Sequence, residues 1–243
     1  MSNSPQTTEI APVLTQTKMA ASEKQQRWFE VFLVLLAACG SSFLNALFIL
    51  RNGLNSVPQN SNQRWLIGIL QEVVSLLLLG YVLSRRSLRF KDLGLGWRLK
   101  DVGVGLLVAG ISYISYILGS MLVHSAHYAI YGSVAKSLSG RDIFAHPPVA
   151  AIPFSLLNPF FEELIVRAYL MTEVSDLTGS SFLAIAVSVA VQSSYHLYYG
   201  WTGAISLSFP FLIFGVYYAR SRRILPVIVA HGISDIYGIL RLW

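Results

Sequence analysis

The chain has one cysteine, Cys39, among its 243 residues. A disulfide framework within the chain and a cysteine-rich zinc site are therefore excluded, and Cys39 reads as a small apolar residue of a helix. Charge is almost as scarce. Asp, Glu, Lys and Arg make up 12% of the residues, against about a quarter in an average soluble domain. A soluble fold of this length would need a charged surface, and long stretches here carry almost none. The net charge of +6 does not imply nucleic acid, because the basic residues flank apolar segments and form no stripe with interleaved aromatics. Tandem repeats and low-complexity segments are absent. The N-terminal residues also lack the basic, apolar, small-residue order of a cleaved signal peptide.

What the chain has in quantity is apolar sequence: 54% of its residues are hydrophobic and the mean hydropathy is +0.56. Crossing a bilayer takes about 20 apolar residues, and windows of that kind begin near Trp28, Trp65, Val102 and Val149. Three shorter ones follow over 181–199, 203–219 and 224–242. The expected fold is an all-α polytopic membrane helix bundle of about seven transmembrane helices, seven or eight. Residues 1–27 are expected to be a disordered cytoplasmic tail, with the first span as an uncleaved anchor, and residues 28–148 the N-terminal transmembrane helices and loops.

The basic residues test this layout. With the N-terminus inside, the cytoplasmic segments hold twelve: Lys18, Lys24, Arg27, Arg85, Arg86, Arg89, Lys91, Arg98, Lys100, Arg220, Arg222 and Arg223. The other side holds five, Arg51, Arg64, Lys136, Arg141 and Arg241, with Arg167 left inside a span. That asymmetry satisfies the positive-inside rule and is expected of an integral protein of the plasma membrane. Trp28, Trp65, Trp201 and Trp243 fall at proposed helix ends, where indoles favour the interface. The longest connection, from about His124 to Pro148, holds His124, His127 and His146, which read as solvated loop histidines.

One short run breaks the apolar pattern: Phe161-Glu162-Glu163-Leu164-Ile165-Val166-Arg167. Two carboxylates and an arginine in lipid are costly unless they face a protein or water cavity and find partners. On a helix, Glu163 and Arg167 are four apart and share a face, whereas Glu162 points about 100° away. The pair is therefore expected to be structural and Glu162 free for chemistry. Upstream, Asn158-Pro159 fits either an N-cap with proline at the first helical position, restarting the helix, or a kink in a continuous one. Two later spans carry matching residues. His196 ends the run Gln192-Ser193-Ser194-Tyr195-His196, and His231 and Asp235 share a face four residues apart. At 1.5 Å per residue, these residues lie roughly 10 to 22 Å from the cytoplasmic ends of their spans, close enough to converge on one cavity.

The ordered set Glu162-Glu163-x-x-x-Arg167, a histidine in the next span, and His231-x-x-x-Asp235 resembles the three motifs of the CPBP family. That family comprises type II CAAX prenyl endopeptidases and bacteriocin-processing or immunity proteins, also called the Abi family. The resemblance covers roughly residues 149–242, so 149–243 is expected to be the catalytic core. There are two departures. The second motif usually has phenylalanine four residues before the histidine, where this chain has Gln192, and the change is expected to affect packing only. The last motif often ends in asparagine, where this chain has Asp235.

The resemblance implies an intramembrane endopeptidase in which Glu162 and His196 activate a water and Glu163 with Arg167 supports them. His231 and Asp235 would then stabilise an oxyanion or help ligate a metal. Two histidines with carboxylates suffice for zinc, yet there is no His-Glu-x-x-His and no cysteine ligand. Zinc is thus left open, with Glu162, His196 and His231 as its candidate ligands. The expected partners are the lipid bilayer and a peptide or protein substrate, prenylated in the best-known branch. Nothing in the sequence sets the oligomeric state. The cavity is expected to open toward the cytoplasmic half of the bilayer. A membrane scaffold or bacteriocin immunity protein is the alternative, and a coupled transporter, which would favour internal symmetry, is a third class. Among other positions, Glu72 is expected to be hydrogen-bonded between helices or packed as a protonated carboxyl. Tyr195, Tyr198 and Tyr199 are read as packing, and Gly103, Gly105, Gly110 and Gly119 as sites of close helix approach.

Overall fold

A computed structural model describes residues 20–53, 57, 60–135 and 138–242. Its helices are α1 (Ala21–Asn52), α2 (Asn62–Arg85), α3 (Leu99–Tyr131), α4 (Gly140–Phe144), α5 (Ala151–Glu162), a π-helical segment (Glu163–Tyr169), α6 (Leu170–Thr178), α7 (Ser181–Tyr195), a 3₁₀ turn (Leu197–Tyr199), α8 (Gly200–Ser221) and α9 (Leu225–Leu240). No strand occurs among the described residues. Among the described residues, four helical stretches are long and apolar enough to cross a membrane: Ala21–Asn52, Asn62–Arg85, Leu99–Tyr131 and Leu197–Ser221. α7 and α9 are shorter apolar helices, and the run from α5 to α6 is continuous through the π-helical segment that carries Glu163 and Arg167. The helical membrane bundle expected from composition is the fold that forms.

Several boundaries differ from expectation. Residues 1–19, most of the expected tail, lie outside the described residues, as do Lys136 and Trp243. α1 begins at Ala21, so residues 21–27 are helical. Glu23, Lys24, Gln25, Gln26 and Arg27 all favour helix, and Gln26 bonds Glu30 one turn on, at 3.1 Å. α3 continues to Tyr131, so His124 and His127 belong to a helix instead of a loop. The His124 ring bonds the Ser120 carbonyl at 2.9 Å. Inside the remaining connection, α4 is held by a reciprocal capping box between Ser139 and Asp142. The Ser139 hydroxyl and backbone N–H hold the Asp142 carboxyl below its usual range. Trp65, in the first turn of α2, is buried: its indole donates to Asn60 Oδ1 at 2.6 Å and stands edge-on to Phe154.

α5 packs on α2 and α9, α7 on α8 and α6, and α3 across α8 and α9. Small residues permit the last two approaches. A Cβ at Gly105 would lie 2.7 Å from Val229, and one at Gly119 would meet the Phe209 ring, whereas Gly103 and Gly110 face open space. Of the four glycines expected at contacts, two therefore serve there. The core joins Val34, Leu79, Leu83, Ile165, Leu170 and Ile224.

The end of the bundle that carries the basic loops is closed by ion pairs. Glu173 on α6 accepts from Arg27 at 2.8 Å and from Arg86 at 2.7 Å, and Arg86 also pairs with Glu30. Arg223, between α8 and α9, pairs with Asp101 on α3, and this contact raises the pKa of the guanidinium further. Gly94, with φ +87°, lets its loop lie against the Arg222 carbonyl and accept from the Ile224 N–H at 3.3 Å.

Candidate active site

Pro159 lies inside α5, which runs unbroken through it. The kink reading is therefore the one realised, and Asn158 is not a helix cap. Proline offers no N–H to the turn before it. The backbone then widens into the π-helical segment at Glu163, a geometry often found where side chains must be re-aimed for function. Every residue of Glu163–Tyr169 is buried.

From that segment the side chains reach three other helices. Glu163 is fully buried and its Oε1 lies 2.8 Å from His231 Nδ1 on α9. Its Oε2 is 3.7 Å from Arg167 Nε, so the expected pair exists but is the longer of the two contacts. Arg167 is also fully buried. It donates to Ser188 Oγ at 2.9 Å, to the Gln192 side-chain oxygen, and to the Phe211 carbonyl at 3.4 Å, with its guanidinium 5.6 Å from the Phe211 ring centre. The Ser188 hydroxyl in turn donates a hydrogen bond to the Val166 carbonyl at 2.7 Å, which locks α7 against the π segment.

Glu162 stands on the other side of this pair, nearly buried. Its Oε2 accepts two hydrogen bonds from α7, one from Gln192 Nε2 at 2.7 Å and one from the Tyr195 hydroxyl at 2.9 Å. His196 caps α7, and its Nδ1–H donates to the Gln192 carbonyl at 2.8 Å, leaving the Nε2 lone pair uncommitted. Tyr195, Tyr198, Tyr199 and Phe211 pack around the imidazole, with ring centres 4.9 to 6.4 Å from it. On α9, His231 Nε2 lies 3.5 Å from Asp235 Oδ1, while Asp235 Oδ2 accepts from the Asn158 amide at 3.0 Å.

Glu162, Glu163, Arg167, His231 and Asp235 are thus drawn into one network from α5, the π segment and α9. His196 lies beside it, within electrostatic reach of Glu162, His231 and Asp235. No direct hydrogen bond joins His196 to Glu162 among the described residues. Gln192 connects them instead, since its side chain holds Glu162 and its carbonyl holds His196. Gln192 is fully buried and polar in function, so the expectation that it alters packing only is corrected. Asn158 and Tyr195 are likewise members of the site. Glu72, 3% exposed, has no hydrogen-bond partner on either oxygen, so of the two forms expected for it the interhelical hydrogen bond is not the one present.

Donor atoms of Glu162, Glu163 and His231 lie within 4.8 Å of one another, close enough for a cation. The trio contains Glu163 in place of His196, which had been a candidate ligand. Both donors of His231 are already committed, however. His231 Nδ1 is on Glu163, its Nε2 faces Asp235, and Arg167 stands beside Glu163, where its charge would oppose a divalent ion. The residues present fit a hydrogen-bonded network better than a zinc centre.

Towards the basic loops, residues 163–171 are buried without interruption, and the Glu173 ion pairs lie beyond them. Towards the N-terminus of α5, Asn158 and Asp235 are half-exposed.

Fold and site together define an integral membrane protein with a carboxylate–histidine centre enclosed in its helical bundle. Residues 144–237 match the family model of the type II CAAX prenyl endopeptidases, described as Rce1-like, and so bear out the CPBP resemblance carried by the three motifs. The matched segment contains Glu162, Glu163, Arg167, His196, His231 and Asp235. It points to a CAAX-type intramembrane protease. No curated protein and no solved structure matches the chain.

Proposed function

We propose that the protein is an intramembrane endopeptidase that hydrolyses a peptide bond with a water activated by Glu162 and His196. The observation that supports this best is the split role of the Glu162 carboxylate. Two donors from α7 hold Oε2, so Oε1 is left to take a proton, and the imidazole of His196 is fixed by the same turn of α7.

In this reading the water proton passes to Glu162 as its oxygen attacks the carbonyl carbon. The charge that develops on the carbonyl oxygen is met on the Asn158 side of the site, where the amide has a second N–H beside the one that Asp235 Oδ2 accepts. Asp235 orients this amide and faces His231 Nε2, which suits the acceptor role of a carboxylate. The C–N bond then breaks and the proton held by Glu162 goes to the leaving amine. Glu163 and Arg167 keep the π segment and α7 in register. Residues 149–243 form the catalytic unit, residues 28–148 house it, and the membrane is the plasma membrane with the N-terminus inside. The substrate is a peptide or protein segment that reaches the bilayer.

The test uses the full chain in proteoliposomes with a fluorogenic peptide ending in a farnesylated CAAX sequence, beside the same peptide without the lipid. Glu162→Ala and His196→Ala are each expected to abolish cleavage, by roughly 10²- to 10⁴-fold for loss of a general base, with melting nearly unchanged. Mutants that cleave at the wild-type rate would sink the assignment. A scaffold or immunity protein would instead lose stability or partner binding on the same substitutions, and neither peptide would be cut.

A further inference from the structure

Gln192 occupies the place where the family pattern usually has phenylalanine, and it is fully buried between two ionic groups. Its carboxamide receives a hydrogen bond from Arg167 on one side and gives one to Glu162 Oε2 at 2.7 Å on the other. The orientation follows from chemistry. A guanidinium only donates, so the Gln192 oxygen must face Arg167 and the NH₂ must face the carboxylate. The backbone carbonyl of the same residue fixes the His196 ring at 2.8 Å. Phenylalanine in this position makes neither side-chain bond.

We infer that Gln192 is a positioning residue for the water-activating pair. Resting on the endopeptidase reading of Glu162, it sets which carboxylate oxygen is the base. Arg167 aligns the amide, the amide and the Tyr195 hydroxyl saturate Oε2, and Oε1 is the oxygen left to take the proton. In this chain the arginine of the first motif therefore acts on the base through Gln192 and not only through Glu163. The departure from the family pattern is a polar relay, and the water-activating geometry depends on it.

The experiment compares wild type, Gln192→Met, Gln192→Glu and Glu162→Ala as full-length protein in proteoliposomes. Gln192→Met keeps the length of the side chain without its hydrogen bonds. The expected result is a kcat lowered roughly 10- to 100-fold with KM within about threefold, as for a displaced catalytic group. Added to Glu162→Ala, Gln192→Met should lower the residual rate no further, since the two act as a unit. Gln192→Glu keeps the contact with Arg167 and so protects folding, but sets a carboxylate against Glu162, and the same kcat loss is expected. A second readout needs no substrate. The infrared carboxylate band of Glu162, assigned by difference against Glu162→Ala, should shift in Gln192→Met. An unmoved band, or wild-type kcat in both Gln192 variants while Glu162→Ala is inactive, overturns the inference and leaves the endopeptidase reading standing. Full cleavage by Glu162→Ala would overturn that reading instead, and the band shift would still report the relay.

Discussion

Replacing each glutamate of the pair by glutamine removes a charge while keeping the shape, and the two substitutions should have opposite effects. Glu163 is fully buried between Arg167, itself fully buried, and His231. Removing one partner of a buried ion pair typically costs about 3–5 kcal/mol. The Arg167 contact is long at 3.7 Å, and the guanidinium keeps Ser188, Gln192 and the Phe211 carbonyl. The lower end, about 3 kcal/mol, is therefore expected for Glu163→Gln. For a chain of this size that corresponds to a fall in Tm of roughly 6–12 °C. Glu162 has neutral partners, Gln192 and Tyr195, and an amide oxygen can still accept from them. Glu162→Gln should cost about 1 kcal/mol or less, yet abolish cleavage. The assay is thermal unfolding in detergent beside peptide cleavage for both variants. Equal Tm shifts, or a larger shift for Glu162→Gln, would refute the division into a supporting and a reacting carboxylate.

Exhaustive chelation should leave cleavage at its full rate, because in the only cation-sized cluster among the described residues both His231 nitrogens face carboxylates and Arg167 stands beside Glu163; loss of activity restored by zinc would contradict this. Glu173→Ala strips the shared acceptor from Arg27 and Arg86 and should lower stability by about 3 kcal/mol, read as an earlier unfolding transition. Glu72→Leu removes a buried carboxyl without a hydrogen-bond partner, a defect worth about 1–3 kcal/mol, so Tm should hold or rise while cleavage stays within about threefold. A folded Glu72→Leu protein without activity would instead place Glu72 in substrate handling.

The sequence made the helical bundle and the charged members of the site legible, because scarcity of charge and i, i+4 spacing act within single helices. Glu163 with Arg167 and His231 with Asp235 were readable for that reason. Contacts between helices were less so. Glu163 turned out to prefer His231 on α9, and Gln192, which looked like packing, joins Arg167 to Glu162. Asn158 resembled a cap because it precedes proline, but α5 continues through Pro159 and the amide turns to Asp235. The π segment has no sequence signature of its own. It emerges from the proline and from buried charges that must each find a partner, and it decides where Glu163 and Arg167 point.

The most direct measurement of the central claim is a comparison of membrane-proteome termini in cells carrying the wild-type chain or Glu162→Ala at equal abundance. New peptide termini that appear with the wild type and vanish with Glu162→Ala are the predicted result. Identical sets of termini in the two strains, with both proteins folded in the membrane, would contradict an endopeptidase built on Glu162.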